Sequence, residues 1–346
     1  MSRKVRVVVM MGGPSSEHAV SLASGAQVLQ ALQSTHEFDV SALVISRTGQ
    51  WQMTSSVPGI LPEPGEAAGG PMPRDEAIRG VGLLRDVDMV FLAFHGPFGE
   101  DGTLQGFMEA LSIPYTGSGP LASALAMDKA KAKELFRCYG LKTPDDLHFR
   151  SKLIRASLTN AIQTVEANFT YPVVVKPNLG GSSLGVSIAN HMMELEQALI
   201  TAARFDTDVL VEERLEGREV TCAVLEEMDG DARALPVIEI VPKRGPFFDF
   251  ASKYEDGGSE EICPANLTPD ETRAVQQAAL VAHEALGCRG FSRTDMFLTE
   301  SGPVVLEVNT IPGLTPNSLM PKAAKAAGLS FAELVSHVVK VALART

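Results

Sequence analysis

"RTDMFLTESGPVVLEVNT", residues 293–310, reads as two β-strands about a Ser-Gly turn, yet Asp295, Glu307 and Asn309 interrupt its apolar run. Met296, Leu298, Val304, Leu306 and Val308 all fall on even numbers, so period-2 alternation places them on one buried face and the oxygen-bearing side chains on the other. A three-residue loop at Ser301-Gly302-Pro303 would set Phe297 opposite Glu307 and Asp295 opposite Asn309. Two carboxylates held close repel unless a cation lies between them, and hard oxygen ligands suit Mg²⁺, which commonly shares itself with substrate phosphates. The same residues also describe a hairpin with one solvated face. Other segments must decide between a metal-nucleotide platform and a plain strand pair.

Upstream, "VVVKPNLGGSSLGVS" (173–187) is an apolar strand ending in Lys176-Pro177, followed by a loop of small residues. Such a loop lets backbone N–H groups and hydroxyls approach a polyphosphate, while the lysine adds a point charge. It matches neither G-x-x-x-x-G-K-[ST] nor a helix-opening G-x-G-x-x-G, so Walker and Rossmann readings fail. In "FHGPFGEDGTLQGFMEALSIPYTGSG" (94–119), His95, Glu100, Asp101 and Thr103 sit just past the carboxyl end of a strand, where open α/β sheets bind ligands. "GGPSSEHAVSL" plays the same part after the first strand. There Glu17 can accept a substrate ammonium or cap the following helix, and spacing alone favours the cap.

The first third alternates strand and helix patterns ("VRVVVMM", "SLASGAQVLQALQ", "FDVSALVI", "VDMVFLAF"), the signature of a parallel sheet with crossover helices. A helix is expected at Met127–Gly140, then a second unit with helix Leu158–Phe169, strand "YPVVVKP", helix "MMELEQALITAARF" and strand "DVLVEERL". An antiparallel series follows, with helix Glu271–Leu286, the hairpin and a terminal helix. Residues 55–74 read as a Pro/Gly-rich surface loop and Phe247–Glu261 as a Gly-rich, charged lid. The expected fold class is α/β, becoming α+β in the C-terminal part, with three domains at 1–120, 121–211 and 212–346.

The 346 residues, 45% of them hydrophobic, suffice for two or three packed domains. Thirty basic against 42 acidic residues give a net charge of -12, which argues against nucleic-acid or anionic-membrane partners. Cys138, Cys222, Cys263 and Cys288 show neither C-x-x-C nor zinc spacing, so reduced cytoplasmic thiols are expected. "MSRKVRVVVMMGG" reads as a buried first strand rather than a signal peptide, and no run of 18 or more apolar residues suggests a membrane span.

"GGPSSEHAVS", "HGPFGEDGTLQG", "YTGSG", "MDKAKAK", "VVVKPNLGGSSLGVS", "VLVEERLEGREVT", "FFDFASKY", "SRTDMFL" and "LEVNTIPGLTPNSLMP" together resemble the D-alanine:D-alanine ligase family of the ATP-grasp superfamily, in order from residue 12 to residue 321. The resemblance implies a cytoplasmic, homodimeric enzyme whose substrates are D-alanine and ATP and whose cofactors are two Mg²⁺ (or Mn²⁺) ions. Its product would be a dipeptide for peptidoglycan synthesis. It implies that Lys129 and Lys176 bind the α and β phosphates, that Glu212 and Leu215 border the adenine, and that Glu219 takes the ribose hydroxyls. Lys253 would reach the γ-phosphoryl group from the lid, and Asp295, Glu307 and Asn309 would hold the metals. Glu17 would hold the first ammonium, linked through Ser182 in the glycine loop to Tyr254 on the lid, with His95 nearby. Arg293 and Gly313 would face the oxyanion, and Ser318 and the Leu319 backbone the second carboxylate. Ala19, Arg214 and Ala251 depart from the family's usual residues. A D-lactate-using depsipeptide ligase and a non-catalytic nucleotide-binding protein are the rival readings; Tyr254 speaks against the first and the complete Arg293, Asp295, Glu307, Asn309 set against the second.

Overall fold

The computed structural model describes residues 3–55, 74–181, 184–242, 259–315 and 317–345. Ser182, Ala251, Lys253 and Tyr254 lie outside the described residues, as do nearly all of the expected loop at 55–74 and most of the expected lid.

Strand β1 (Arg6–Gly12) is a run of branched and long apolar residues, and a strand buried on both faces needs such a run. It pairs in parallel with β2 (Asp39–Ile45) and β4 (Met89–Leu92). The parallel sheet expected from the alternating pattern is therefore present. A short antiparallel strand β3 (Trp51–Thr54), which the sequence pattern did not announce, adds at the edge of β2 and completes the order β3-β2-β1-β4. The helix His18–Thr35 lies very close to β1, because a Cβ on its Gly25 would sit 2.6 Å from the Cβ of Met11.

The second sheet is antiparallel throughout, with β5 (Asp146–Arg150), β6 (Val173–Pro177), β7 (Ser187–Ala189) and β8 (Asp208–Glu213) in the order β5-β8-β6-β7. Helices Leu158–Asn168 and Met192–Phe205 form its core, burying Val165, Leu195 and Leu199 against Val173 and Val175. The single helix expected at 127–140 is instead two helices, Pro120–Met127 and Lys129–Cys138. Asp128 divides them in an extended conformation and its carboxylate accepts the Lys131 N–H at 3.1 Å, so it caps the second helix rather than continuing the first.

The third sheet contains β9 (Arg218–Glu226), β10 (Ala232–Ala234), β11 (Ile238–Pro242), β12 (Ser259–Ile262), β13 (Phe291–Thr299) and β14 (Gly302–Asn309). Its order is β12-β11-β9-β13-β14, with β10 on β9. The helix Pro269–Leu286 opens with a Thr268/Glu271 capping box and shares its core with Ala122, Ala126 and Phe136 from the paired helices above. Helix Phe331–Ala344 packs on helix His18–Thr35, so chain start and chain end share one core.

The hairpin forms, but in a different register from the expected one. Its loop is two residues, Glu300 and Ser301, so Thr299 pairs with Gly302, and the register then shifts between Asp295 and Met296. Leu306 is left as an extra residue in β14, a bulge that carries Asp295 opposite Glu307 and Arg293 opposite Asn309. Val305 consequently takes the buried place that parity assigned to Leu306.

Candidate active site

Two cavities lie side by side where the sheets meet. The larger, about 560 Å³, is lined by Lys129, Lys176, Glu212, Leu215, Glu219, Arg214, Asp295, Phe297, Leu306 and Glu307. The smaller, about 400 Å³, is lined by Glu17, His95, Glu100, Arg293, Asn309, Gly313, Ser318 and Leu319. Lys129, Gly180, Gly181, Glu307 and Leu319 border both, so a group bound in one cavity meets a group bound in the other across this wall. Every site residue implied by the family resemblance that lies within the described residues lines at least one of the two cavities, whereas Asp101 and Thr103 line neither.

The two lysines come together through Asn178, whose side-chain oxygen accepts the Ala130 N–H and whose amide donates to Asp128, both at 2.9 Å. This ties the end of β6 to the start of the Lys129 helix. The Lys129 ammonium donates to the Gly180 carbonyl at 2.7 Å and lies 3.4 Å from Glu307 Oε2. Lys176 lies 2.7 Å from Oε1 of the buried Glu212. Burial alone would raise the Glu212 pKa, but Lys176 and Lys133 outweigh it and hold the carboxyl below its ordinary range.

On the hairpin, Arg293 makes a bidentate pair with Asp295, 2.8 Å at each oxygen. Asn309 donates to Asp295 Oδ2 at 3.0 Å and Thr221 to its Oδ1 at 2.6 Å. Burial works against the Arg293 charge, yet Asp295 more than compensates and the guanidinium is held above its ordinary pKa. Among the described residues no three His, Cys, Asp or Glu side chains cluster as a metal cage. The Asp295, Glu307 and Asn309 set offers two carboxylates and an amide, all hard oxygen donors, and so fits Mg²⁺ or Mn²⁺ bound in part by substrate oxygens.

In the smaller cavity, Glu17 occupies the N-cap position of helix His18–Thr35 but its side chain makes no capping bond, which corrects the preference drawn from spacing. Its carboxylate faces the glycine loops instead: a Cβ on Gly96 would lie 3.2 Å from its Oε2 and one on Gly181 3.3 Å from its Oε1. His95 is buried, hydrogen-bonded through Nε2 to Ser24 Oγ at 2.9 Å, and burial followed by the Arg293 charge lowers its pKa to about 4. Gly313 packs closely on Ser318: a Cβ there would lie 2.8 Å from Ser318 Oγ and displace that hydroxyl, which accepts the Thr315 N–H at 3.1 Å.

Lys133 and Thr221 escaped notice in the sequence, and Glu100, noted there at the ligand-binding end of a strand, was given no role. Glu100 accepts the Gly96 N–H at 2.6 Å, and burial, then the Glu17 charge, push its carboxyl up to about 8, so it is mostly protonated near neutrality. Packing puts Lys133 and Thr221 behind Glu212 and Asp295. Asp101, noted in the sequence with His95, Glu100 and Thr103, does not line either cavity: it accepts the Phe98 N–H at 2.7 Å and the Thr103 N–H at 2.9 Å and so closes the loop.

Comparison with known proteins matches residues 6–118 to the family "D-ala D-ala ligase N-terminus" and residues 135–340 to "D-ala D-ala ligase C-terminus". A D-alanine--D-alanine ligase of Leptospira interrogans is 40% identical over 352 residues, covering 99% of each chain. The VanG D-Ala:D-Ser ligase structure from Enterococcus faecalis is 34% identical with a TM-score of 0.78, covering 98% of this chain and 100% of that one. The Bacillus anthracis D-alanine--D-alanine ligase complexed with ATP is 31% identical with a TM-score of 0.77, covering 99% and 98%. With both halves matched in order on this fold, the chain belongs to the D-alanine--D-alanine ligase family.

Proposed function

We infer that the protein uses ATP to join two D-alanines into D-alanyl-D-alanine for peptidoglycan synthesis. The observation that carries this reading is the shared wall of the two cavities. Lys129, Glu307 and the Gly180-Gly181 backbone stand between a pocket of nucleotide size and one lined by Glu17, Glu100 and the part-buried Arg293.

In this reading the larger cavity takes ATP, with Lys129 and Lys176 on the phosphates, Glu212 and Leu215 at the base and Glu219 at the ribose. Asp295, Glu307 and Asn309 would hold Mg²⁺ or Mn²⁺, which supplies charge neutralisation at the phosphate oxygens. Glu17 anchors the ammonium of the first D-alanine so that its carboxylate faces the shared wall. A carboxylate oxygen attacks the γ-phosphorus, the bond to the bridging oxygen breaks, and ADP leaves, giving D-alanyl phosphate. Ser318 and the Leu319 backbone orient the second D-alanine. Its neutral amine attacks the acyl carbon, Arg293 and the Gly313 N–H steady the oxyanion, phosphate departs, and the amine gives up a proton. On the family resemblance, Ser182, Lys253 and Tyr254 would serve to keep water from the acyl phosphate.

Three working units at 1–120, 121–211 and 212–346 accompany this proposal, with helices Pro120–Met127 and Lys129–Cys138 riding on the core of the last. Among the described residues no single helix is long and apolar enough to cross a membrane. A cytoplasmic homodimer is the form proposed, on the family resemblance.

The test incubates the protein with ATP, Mg²⁺ and D-alanine, follows phosphate release, and identifies products by mass, with D-serine and D-lactate as competitors. D-alanyl-D-alanine formed in step with phosphate supports the reading. Phosphate release with no dipeptide, or products dominated by the competitors, refutes it.

A further inference from the structure

Lys133 is fully buried on the helix Lys129–Cys138 and is not among the residues lining either cavity. A lysine shut away from water is costly unless an opposite charge answers it. Its ammonium donates to Oε1 of Glu212 and lies 3.7 Å from Oδ1 of Asp146, which is also paired with Arg137. Lys176 meets the same Glu212 oxygen, at 2.7 Å, from the cavity side. Two ammoniums on Oε1 fix the side chain and leave Oε2 as the oxygen to meet a ligand in the cavity that Glu212 lines.

We propose that Lys133 is a positioning residue for base selection, holding Glu212 as an oriented carboxylate so that the pocket takes a base presenting an exocyclic amino group and refuses one presenting a carbonyl there. The proposal rests on reading the larger cavity as the nucleotide site. A carboxylate accepts from the amino group of adenine, whereas against the carbonyl of guanine two acceptors meet and repel. Without Lys133 the buried carboxyl loses one of its two cations and drifts towards a protonated form that can donate to a carbonyl. Discrimination between the two bases then weakens.

The experiment measures binding of MgADP and MgGDP to the whole protein by calorimetry, for wild type, Glu212→Gln, Lys133→Met and Lys133→Arg, together with KM for ATP and kcat. Lys133→Met and Glu212→Gln are each expected to lower the preference for ADP over GDP at least about tenfold. In Lys133→Met, KM for ATP rises while kcat at saturating ATP stays near wild type, and Lys133→Arg, which keeps the charge, retains more of the preference. If Lys133→Met keeps the wild-type preference while Glu212→Gln loses it, the role of Lys133 is overturned and the nucleotide reading stands. If Glu212→Gln also keeps it, Glu212 does not read the base and the proposal falls with it. Should Lys133→Met be too unstable for binding measurements, the double variant Lys133→Met/Glu212→Gln, which leaves Glu212 no carboxylate to orphan, is expected to be the more stable of the two in urea unfolding. A double variant no more stable than the single one shows the pair uncoupled and overturns the proposal.

Discussion

Glu100→Gln turns an unusual protonation state into a measurable slope. The folded chain holds this carboxyl at about 8 against an ordinary 4.5, through burial and the Glu17 charge, with the Gly96 and Ile311 N–H groups and Arg293 opposing. Because the folded-state value is the higher one, the contribution to stability is fully present below 4.5 and is lost as pH rises through 8. Between those values the unfolded chain has released a proton that the folded chain keeps, so stability falls by about 1.4 kcal/mol per pH unit from this group alone. From pH 5.5 to 7.5 that is about 2.7 kcal/mol. Glu100 is partly open to the cavity, so water reduces the effect to roughly half that figure. Glutamine keeps the neutral shape and an oxygen for the Gly96 N–H but cannot ionise. The variant should therefore gain on wild type by about 1 to 1.5 kcal/mol over those two pH units. Urea unfolding of both proteins without ligands, followed by circular dichroism at several pH values, measures the difference. A stability difference that stays constant from pH 5.5 to 8 refutes the protonated state, because a Glu100 ionised against Arg293 is ionised in both folded and unfolded chains throughout that range.

His95 carries the opposite sign: with its folded pKa lowered to about 4 from 6.5, wild-type stability should fall as pH drops through that window, and His95→Gln should lose less between pH 6.5 and 4.5 in thermal melts. An equal acid loss in both proteins would count against a buried neutral imidazole. Glu307→Gln is expected to lose nearly all turnover at limiting Mg²⁺ while Mg²⁺-free nucleotide binding suffers less; wild-type phosphate release under those conditions sinks the metal assignment. Glu17→Gln should raise KM for the tighter D-alanine site roughly ten- to a hundredfold with little change in KM for ATP. A lower melting temperature with unchanged KM would restore the helix-cap reading.

Local chemistry was legible where it is local in sequence. The apolar run of β6 ending in Lys176, the parallel pattern of the first third and the helices Met192–Phe205 and Pro269–Leu286 follow from periodicity and capping alone. Asp128 shows where that stops: its side chain ends one helix and starts another, although the letters around it continue a helical pattern. The burial of Lys133 and of Glu100 was beyond reach for a different reason. A charge on a helix or in a loop reads as solvated, and only the arrival of β8 behind Lys133, or of Glu17 and Arg293 beside Glu100, makes it buried. For Lys133 the one available hint was its neighbours, because Ala132 and Phe136 mark the buried side of the same helix. The hairpin register failed first at the turn, whose loop is two residues where three were expected, and again at Leu306, because alternation fixes which face a residue takes only while the count of residues is unbroken.

That break in the count at Leu306 makes the length of β14 matter separately from its composition. Below it, Val305 is indexed to the turn; above it, Glu307 and Asn309 are indexed to Asp295 and Arg293. Replacing Leu306 by another apolar residue leaves both registers intact and alters only the cavity wall it lines. Deleting it merges the two, and either the turn must be rebuilt or the polar pair must rotate towards the core. Position 306 is thus open to drift in identity but closed to loss, and descendants of this chain can vary the side chain there far more freely than they can shorten the strand.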